Sequence, residues 1–170
     1  MATHRIPILG FNTLPDASGN VFFEPYSVKA TNDIFRHGHF IFNDTATRDL
    51  LYGAFNVPKN YVGTASVVIV WTTTAITGNV VWDFDYRTVA GDDAASLDQA
   101  TVEEAVTVTD AAPSATDERM EVSIALTSAN FAADETAEFL IARDGAGGPG
   151  TDTIAAAVQL VGLYFQYNDA

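Results

Sequence analysis

The amino-acid sequence predicts an all-β protein, a two-sheet antiparallel β-sandwich that is jelly-roll-like, with about nine strands and at most short helical turns. Apolar and polar residues alternate with a period of two along most of the chain, which is the pattern of half-buried strands. Clusters of Gly, Pro, Asn and Asp separate these segments, as turns do. Helical signals are weak, and only Ser96 and Ser128 stand where a residue could cap a short turn. Many short strands at this spacing are typical of a sandwich.

The nine strands follow in chain order from these segments. In residues 80–86, aromatic side chains alternate with Asp83 and Asp85, so the aromatic residues take one face and the carboxylates take the other. Residues 120–126 alternate in the same way, and the β-branched run 67–71 suggests a strand that is covered on both faces. The full set is residues 20–24, 37–42, 50–57, 67–71, 80–86, 106–109, 120–126, 138–143 and 158–167.

The two ends of the chain have different patterns. Residues 1–19 carry Pro7, Gly10 and Pro15 between small apolar groups, which predicts an N-terminal arm or edge segment that docks on a neighbour or on the protein's own sheet. Residues 20–170 are predicted to form a single β-sandwich domain. The last strand is apolar on both alternating faces, with Val158, Leu160 and Tyr164 on one face and Val161, Leu163, Phe165 and Tyr167 on the other. Such a strand is central in a sheet or buried in an oligomer.

The net charge of the chain is −14, and it is unevenly distributed. Residues 1–90 hold seven acidic and six basic residues, a net charge of −1, while residues 91–170 hold fifteen acidic and two basic residues, a net charge of −13. This balance argues against nucleic acid and anionic membranes as partners, because both are bound through Lys and Arg. The acidic block of residues 92–121 is interpreted as solvated surface, with a divalent cation or a basic partner as the alternative.

The absence of Cys excludes disulfides, thiol nucleophiles, thiolate zinc sites and iron–sulfur clusters. Residues 1–10 match neither a signal peptide nor a membrane helix, so the chain is expected to stay in the cytoplasm where it is made. The Asn43–Thr45 sequon then has no consequence. No Gly-x-Ser-x-Gly motif supports a nucleophilic triad.

His37 and His39 lie two residues apart on a predicted strand, so their imidazoles are expected to point the same way. That spacing could supply half of a zinc or nickel site, but His4 is the only other His in the chain. A structural role is therefore the preferred interpretation. No cofactor or metal is assigned.

Asp83 and Asp85 form the best carboxylate pair for chemistry. On one strand their Cα atoms lie about 6.5–7 Å apart, which approaches the separation of the carboxyls in an inverting glycosidase. A solvated outer face is the preferred interpretation. Trp71, Trp82 and Tyr86 could form an aromatic platform for a sugar, but the alternation favours core packing.

Two loop segments superficially suggest ligand sites. Residues 145–150 are Gly-rich, but they lack the Lys and Ser/Thr of a phosphate-binding loop and no helix pattern follows them. Residues 16–20 place oxygen donors at alternating positions, but no downstream Glu completes a calcium loop. Both segments are interpreted as loops without a ligand.

The last third of the chain carries a recognisable layout. A strand ending in Arg143-Asp144 is followed by a Gly-rich loop, the pair Asp152-Thr153, small residues at 155–157, and a final apolar strand over residues 160–167. Upstream, residues 55–61 precede the 67–71 strand and residues 78–82 follow it. Over residues 40–168 this layout resembles the small β-sandwich virion structural proteins of tailed bacteriophages, of the capsid decoration, head-fibre or tail-associated type.

That resemblance implies a non-enzymatic virion subunit that forms a homo-oligomer, a trimer above all, and binds the major capsid protein or other virion proteins. It carries no catalytic residues over to this chain. The charge then favours an outward-facing position away from packaged DNA, with residues 91–121 outward and the near-neutral N-terminal half in contact with partners. Two alternatives stay open, a carbohydrate-binding β-sandwich module and a glycan hydrolase or lyase that uses Asp83 and Asp85.

Overall fold

The computed structural model describes residues 1–10, 13–15, 21–24, 37–45, 48–144 and 152–169. Within these ranges the chain forms eleven strands and one short 3-10 turn, and no α-helix. The strands are β1 (Thr3–Pro7), β2 (Leu14–Pro15), β3 (Val21–Glu24), β4 (His39–Phe42), β5 (Asp49–Asn56), β6 (Tyr61–Thr73), β7 (Asn79–Val89), β8 (Glu104–Ala111), β9 (Met120–Ala125), β10 (Thr136–Arg143) and β11 (Val158–Asp169).

The strands pair into two antiparallel sheets. Sheet A has the order β3-β4-β11-β6-β9, with β1 also paired to β11, and sheet B has the order β2-β5-β10-β7-β8. The eight strands β4 to β11 alone give the orders first-eighth-third-sixth and second-seventh-fourth-fifth, which is the connectivity of a jelly roll. The predicted fold class, an antiparallel jelly-roll-like sandwich, is therefore confirmed.

Several element boundaries differ from the prediction. Eleven strands form rather than about nine, and the two extra ones, β1 and β2, lie within residues 1–19. Strand β6 begins at Tyr61, earlier than the predicted start at Val67. The prediction missed the first part of the strand because Gly63 and Thr64 interrupt the apolar pattern there; Thr64 has a φ of 54°. The 3-10 turn spans Ser128–Asn130 and starts after Thr127 rather than after Ser128.

The core lies between the two sheets and is dominated by aromatic rings. Strand β7 illustrates its origin, since Trp82, Phe84 and Tyr86 are at most 1% exposed and point inward as their alternation predicts. Phe84 stacks on Phe139 of β10 at a ring distance of 5.3 Å, and Trp82 meets Trp71 edge to face at 6.5 Å. Burying rings of this size supplies a large share of the stabilisation of such a core.

Strand β11 is central in sheet A, which confirms one of the two expectations for the last strand. It pairs with β6 on one side and with β4 and β1 on the other. The predicted faces hold for Leu163, Phe165 and Tyr167, which all line the core, but not for Val158 and Leu160, because a register shift between Leu160 and Gly162 interrupts the alternation. Leu160 and Phe165 therefore both point into the core, although they were expected on opposite faces. Gly162 leaves the space that the Tyr164 ring occupies.

Part of the predicted arm, residues 3–7, lies on the protein's own sheet as strand β1. His4 Nε2 lies 2.8 Å from Asp169 Oδ2, and the Ala2 amide donates to Asp169 Oδ1 at 2.7 Å. Arg5 bridges outward to Glu121 on β9 at 2.8 Å. These contacts fix the first residues across the end of β11. The division of the chain into an arm and one domain stays a prediction.

Candidate functional site

The outer face of sheet B is the surface that combines exposed apolar side chains with fixed polar groups. One row of side chains across the sheet points away from the core. The next residues along the strands, Leu51, Phe84 and Ile141, are fully buried, and successive side chains of a strand point to opposite faces. The row consists, in register, of Leu14, Tyr52, Leu140, Asp85 and Ala105. Its β2 and β5 end is apolar and its β7 end is charged.

The apolar end of the row is exposed. Leu14 is 65% exposed and Tyr52 is 42% exposed, while Leu140 between Tyr52 and Asp85 is half-buried. An exposed tyrosine ring offers an apolar face and a polar tip to a ligand. This end of the row can therefore contact the apolar side of a flat molecule.

The charged end of the row is organised by Arg48, which lies just before β5. Its Nε donates to Asp83 Oδ2 at 2.9 Å, and its Nη2 donates to Asp85 Oδ2 at 3.1 Å. Thr107 Oγ1 donates to the other oxygen of Asp83 at 2.6 Å. Asp83 on β7 is in register with Ala142 on β10, the strand that lies between β7 and β5. The small side chain of Ala142 leaves room for the Arg48 guanidinium to cross β10. Two carboxylates thus hold one arginine side chain in place.

The structure corrects the interpretation of Asp83 and Asp85. They do lie on the outer face, but their side chains are only 5% and 11% exposed because Arg48 and Thr107 cover them. Arg48 remains 37% exposed. Neither carboxylate is the solvated surface group that the alternation suggested, since strand periodicity gives a residue's face but not what lies over it.

The β7–β8 loop, residues 90–103, borders the same face. Arg87 Nε donates to Glu138 Oε2 at 2.6 Å, and Arg87 Nη2 donates to the Ser96 carbonyl at 3.0 Å. Because Arg87 points outward from β7, this bond holds the loop against the outer face. Residues 91–103 of the loop are exposed, which agrees with the prediction for Asp92, Asp93 and Asp98.

The aromatic residues singled out by the sequence are core residues. Trp71 and Trp82 are fully buried and Tyr86 is 1% exposed, so core packing is confirmed and a sugar platform made of these three residues is wrong. Tyr86 stacks on Phe131 at 4.8 Å and donates a 2.5 Å hydrogen bond to Glu104. Burial, together with the neighbouring carboxylate of Glu104, raises the pKa of Tyr86.

Glu104 gives the stability of this region a dependence on pH. Burial alone would raise its pKa, but hydrogen bonds from Tyr86 and from the amide and hydroxyl of Thr127 outweigh burial and lower the pKa below its ordinary value. A lowered pKa in the folded state means that the contribution of Glu104 is complete above its unfolded-state pKa and is lost as the pH falls through the folded-state value.

We therefore expect Glu104→Gln to lower the free energy of unfolding at pH 7 by about 1–2 kcal/mol, because it weakens hydrogen bonds to a charged group. Urea unfolding at pH 7 and at pH 3 would measure this change, and the gap between wild type and variant should shrink at pH 3. Asp98→Asn, in the exposed loop, is the control. An equal gap at both pH values would contradict the assignment.

His39 is 2% exposed, and its two ring nitrogens face Glu24 Oε2 at 3.0 Å and the His37 carbonyl at 3.3 Å, whereas His37 is exposed. Strand β4 begins at His39, so His37 does not lie on the strand whose geometry was expected to align the two imidazoles. In the part of the chain that the structure describes, no three His, Asp or Glu side chains form a group that could hold a metal ion, and no helix could span a membrane. Residues 16–20 and 145–150 lie outside the described residues.

The sequence pattern did not reveal the residues that complete the outer face of sheet B, above all Arg48 and Tyr52. Tyr52 had a usable signal, since it lies in the predicted strand 50–57 on the face opposite to Leu51. Arg48 had none, because its partners Asp83 and Asp85 are 35 and 37 residues away and meet it only through the sheet order.

Several solved structures are similar to this chain in fold. Isomalto-dextranase from Arthrobacter globiformis T6 matches with a TM-score of 0.57 and 15% identity over 96% of this chain and 23% of its own. A family 35 carbohydrate-binding module from Clostridium thermocellum matches with a TM-score of 0.52 and 9% identity over 98% of this chain and 99% of its own. Exo-β-1,3-galactanase from Phanerochaete chrysosporium matches with a TM-score of 0.51 and 11% identity over 97% of this chain and 29% of its own.

The chain thus spans about a quarter of the length of the two enzymes and nearly the whole of the binding module. At 15% identity and below, the likeness shows that the sandwich fold is shared. No protein-family model and no curated protein matches the sequence.

Proposed function

We propose that the protein is a non-catalytic carbohydrate-binding module and that it binds glycan on the outer face of sheet B. The observation that carries the proposal is the exposed Tyr52 ring in register with Asp85, whose carboxylate is fixed by Arg48. A sugar ring has an apolar side made of C–H groups and an edge of hydroxyls. Tyr52 can stack on the apolar side of one sugar of a glycan chain, and the Arg48 and Asp85 side chains can hydrogen-bond the hydroxyls of another sugar of the same chain.

The fold likeness supports a binding role rather than an enzymatic one. This chain corresponds to an entire binding module, whereas it corresponds to only a minor part of the enzymes that contain a similar sandwich. The contacts of Asp83 and Asp85 support the same conclusion, because both carboxylates bind one guanidinium and neither stands free to transfer a proton.

Binding to a polysaccharide panel tests this function. Affinity electrophoresis in gels containing dextran, arabinan or β-galactan should retard the wild-type protein in at least one gel. Tyr52→Ala should weaken that binding about tenfold, since one aromatic stacking contact is worth about 1 kcal/mol or slightly more. Phe22→Ala is the matched control, because Phe22 is 44% exposed, close to the 42% of Tyr52, but lies on sheet A.

Equal weakening by the two variants would place the ligand elsewhere. If the wild-type protein binds to no member of a broad glycan array, the carbohydrate proposal is wrong.

A second candidate is the role that the phage resemblance implies, a virion structural subunit that self-associates and binds other virion proteins. One observation favours it. Strand β3 is the last strand of sheet A in the described region, and Phe22 and Phe23 on it are 44% and 55% exposed. Apolar side chains on an edge strand invite pairing with another chain. β3 also lies in the near-neutral half, where repulsion between copies is weakest.

Light scattering over a wide concentration range tests this second function. A virion subunit should form an oligomer, a trimer by the resemblance, and Phe23→Glu should shift it to monomer by placing a charge in the contact. If the wild-type protein is monomeric at every concentration and is absent from purified phage particles, the virion role is wrong.

A further inference from the structure

We infer that the outer face of sheet B selects uncharged glycans with adjacent free hydroxyls and rejects polyanionic ones. This inference rests on the proposed carbohydrate function and adds the chemical class of the ligand. It follows from the charges, the unused hydrogen-bonding groups and the dimensions of the face.

The first step is the charge of the face. The two cations that the structure describes on it are already paired, Arg48 with Asp83 and Asp85, and Arg87 with Glu138. These five side chains carry a net charge of −1, and the neighbouring loop adds Asp92, Asp93 and Asp98. The whole chain carries −14. A uronate or a sulfate ester would find no unpaired cation among the described side chains of this face, and it would meet a repulsive field.

The second step is the set of unused hydrogen-bonding atoms. Arg48 donates through Nε and Nη2 to the two carboxylates, while Nη1 makes no hydrogen bond to a described residue. Its two N–H groups therefore face no acceptor within the described ranges, and the carboxylates fix the plane in which they lie. Among the residues that the structure describes, Asp85 accepts only from Arg48 Nη2, which leaves lone pairs on both oxygens for a further donor.

A fixed donor beside a fixed acceptor matches a pair of adjacent sugar hydroxyls. Each hydroxyl both donates and accepts, so one can accept from Arg48 Nη1 while its neighbour donates to Asp85. A sulfate ester or an ionised carboxylate has no proton for Asp85. Such a group would set an anion against an anion and leave a partly buried acceptor unsatisfied.

The third step is the distance between the two ends of the row. Tyr52 and Asp85 are separated by one intervening strand, so their Cα atoms lie about 10 Å apart across the sheet. That span exceeds a single pyranose ring. A sugar stacked on Tyr52 and a hydroxyl pair at Arg48 and Asp85 therefore belong to different residues of one chain, and the ligand is an oligosaccharide.

Matched ligands test the inference on the unaltered protein. Dextran is compared with dextran sulfate, and β-1,4-galactan with the same galactan oxidised at C6 to the uronate, by affinity electrophoresis at low and at physiological salt. The neutral member of the bound pair should bind at least tenfold more tightly, and the gap should narrow as salt screens the repulsion. Periodate treatment, which cleaves adjacent diols, followed by borohydride reduction should abolish binding of the neutral polymer.

Arg48→Lys is the matching variant, because it keeps the positive charge but lacks the planar fork of donors. It should weaken binding of the neutral polymer about tenfold, while Arg119→Lys, on the exposed pair with Glu121, should have no effect. Equal or tighter binding of the anionic polymer that is still sensitive to Tyr52→Ala would overturn the inference and leave the carbohydrate function standing. Binding of none of the four polymers, and of no array glycan, would remove the function itself.

Discussion

Replacing Arg143 with Met is expected to lower the free energy of unfolding by about 3–5 kcal/mol, the range found when one partner of a buried ion pair is removed. The Arg143 side chain is 1% exposed and its bidentate partner Asp152 is 2% exposed, with N–O distances of 2.8 and 2.9 Å. The same guanidinium donates to the carbonyls of Ala156 and Ile154. Strand β10 is thus tied to the segment that leads into β11, and Met would leave the Asp152 carboxylate buried without its cation.

Urea denaturation of three variants measures this effect. Arg119→Met is the control, because the Arg119 side chain is 63% exposed in its pair with Glu121. It should lower the free energy of unfolding by less than about 1 kcal/mol. The double variant Arg143→Met, Asp152→Leu should recover part of the loss, because it no longer leaves a buried charge unpaired. If Arg143→Met costs no more than Arg119→Met, Arg143 is not the element that fixes this end of the sandwich.

The sequence was sufficient wherever a strand could be interpreted from its own residues. In β7 the alternation assigned Trp82, Phe84 and Tyr86 to the core, and all three are buried. The same local logic gave the centre of a sheet as one of two positions for the last strand, and β11 lies there. These predictions succeed because the period of two is a property of the strand itself and does not depend on its partners.

The sequence was insufficient wherever structure depends on residues far apart in the chain. The Arg48 side chain reaches Asp83 only because β10 lies between β5 and β7 and places Ala142 in the gap. Strand β1 has little apolar patterning, and it forms because the edge of β11 is available to it. The register shift after Leu160 is likewise invisible to a rule of strict alternation.

The distribution of charge along the sequence was likewise insufficient to predict which carboxylates are exposed. The acidic half was expected to be solvated surface, and the β7–β8 loop is. Several of its carboxylates have structural partners instead; within residues 92–121, Glu104 accepts from Tyr86 and Asp110 accepts from the indole of Trp71 at 2.9 Å. A count of charges cannot distinguish these carboxylates from their exposed neighbours, because the difference depends on which side chain the fold places beside each of them, on the paired strand for Glu104 and on the opposite sheet for Asp110.

The two tryptophans, Trp71 and Trp82, allow a paired experiment on whether the hydrogen bond to Asp110 stabilises the fold. Both are fully buried and lie edge to face against each other, so replacing either with Phe removes similar volume from one core. Their indole N–H groups differ. Trp71 Nε1 donates to Asp110 Oδ2, whereas Trp82 Nε1 has no hydrogen-bond partner among the described residues.

We expect Trp71→Phe to lower the free energy of unfolding by about 1–3 kcal/mol more than Trp82→Phe. The first change leaves the Asp110 oxygen without its donor, while the second removes a buried donor that was already unsatisfied and so offsets part of its cavity cost. Urea unfolding of both variants gives the comparison, and Asp110→Asn, which can keep an acceptor oxygen toward Trp71, should cost less than Trp71→Phe. An equal or larger loss for Trp82→Phe would mean that packing around the indoles, and not the hydrogen bond to Asp110, determines the stability of this core.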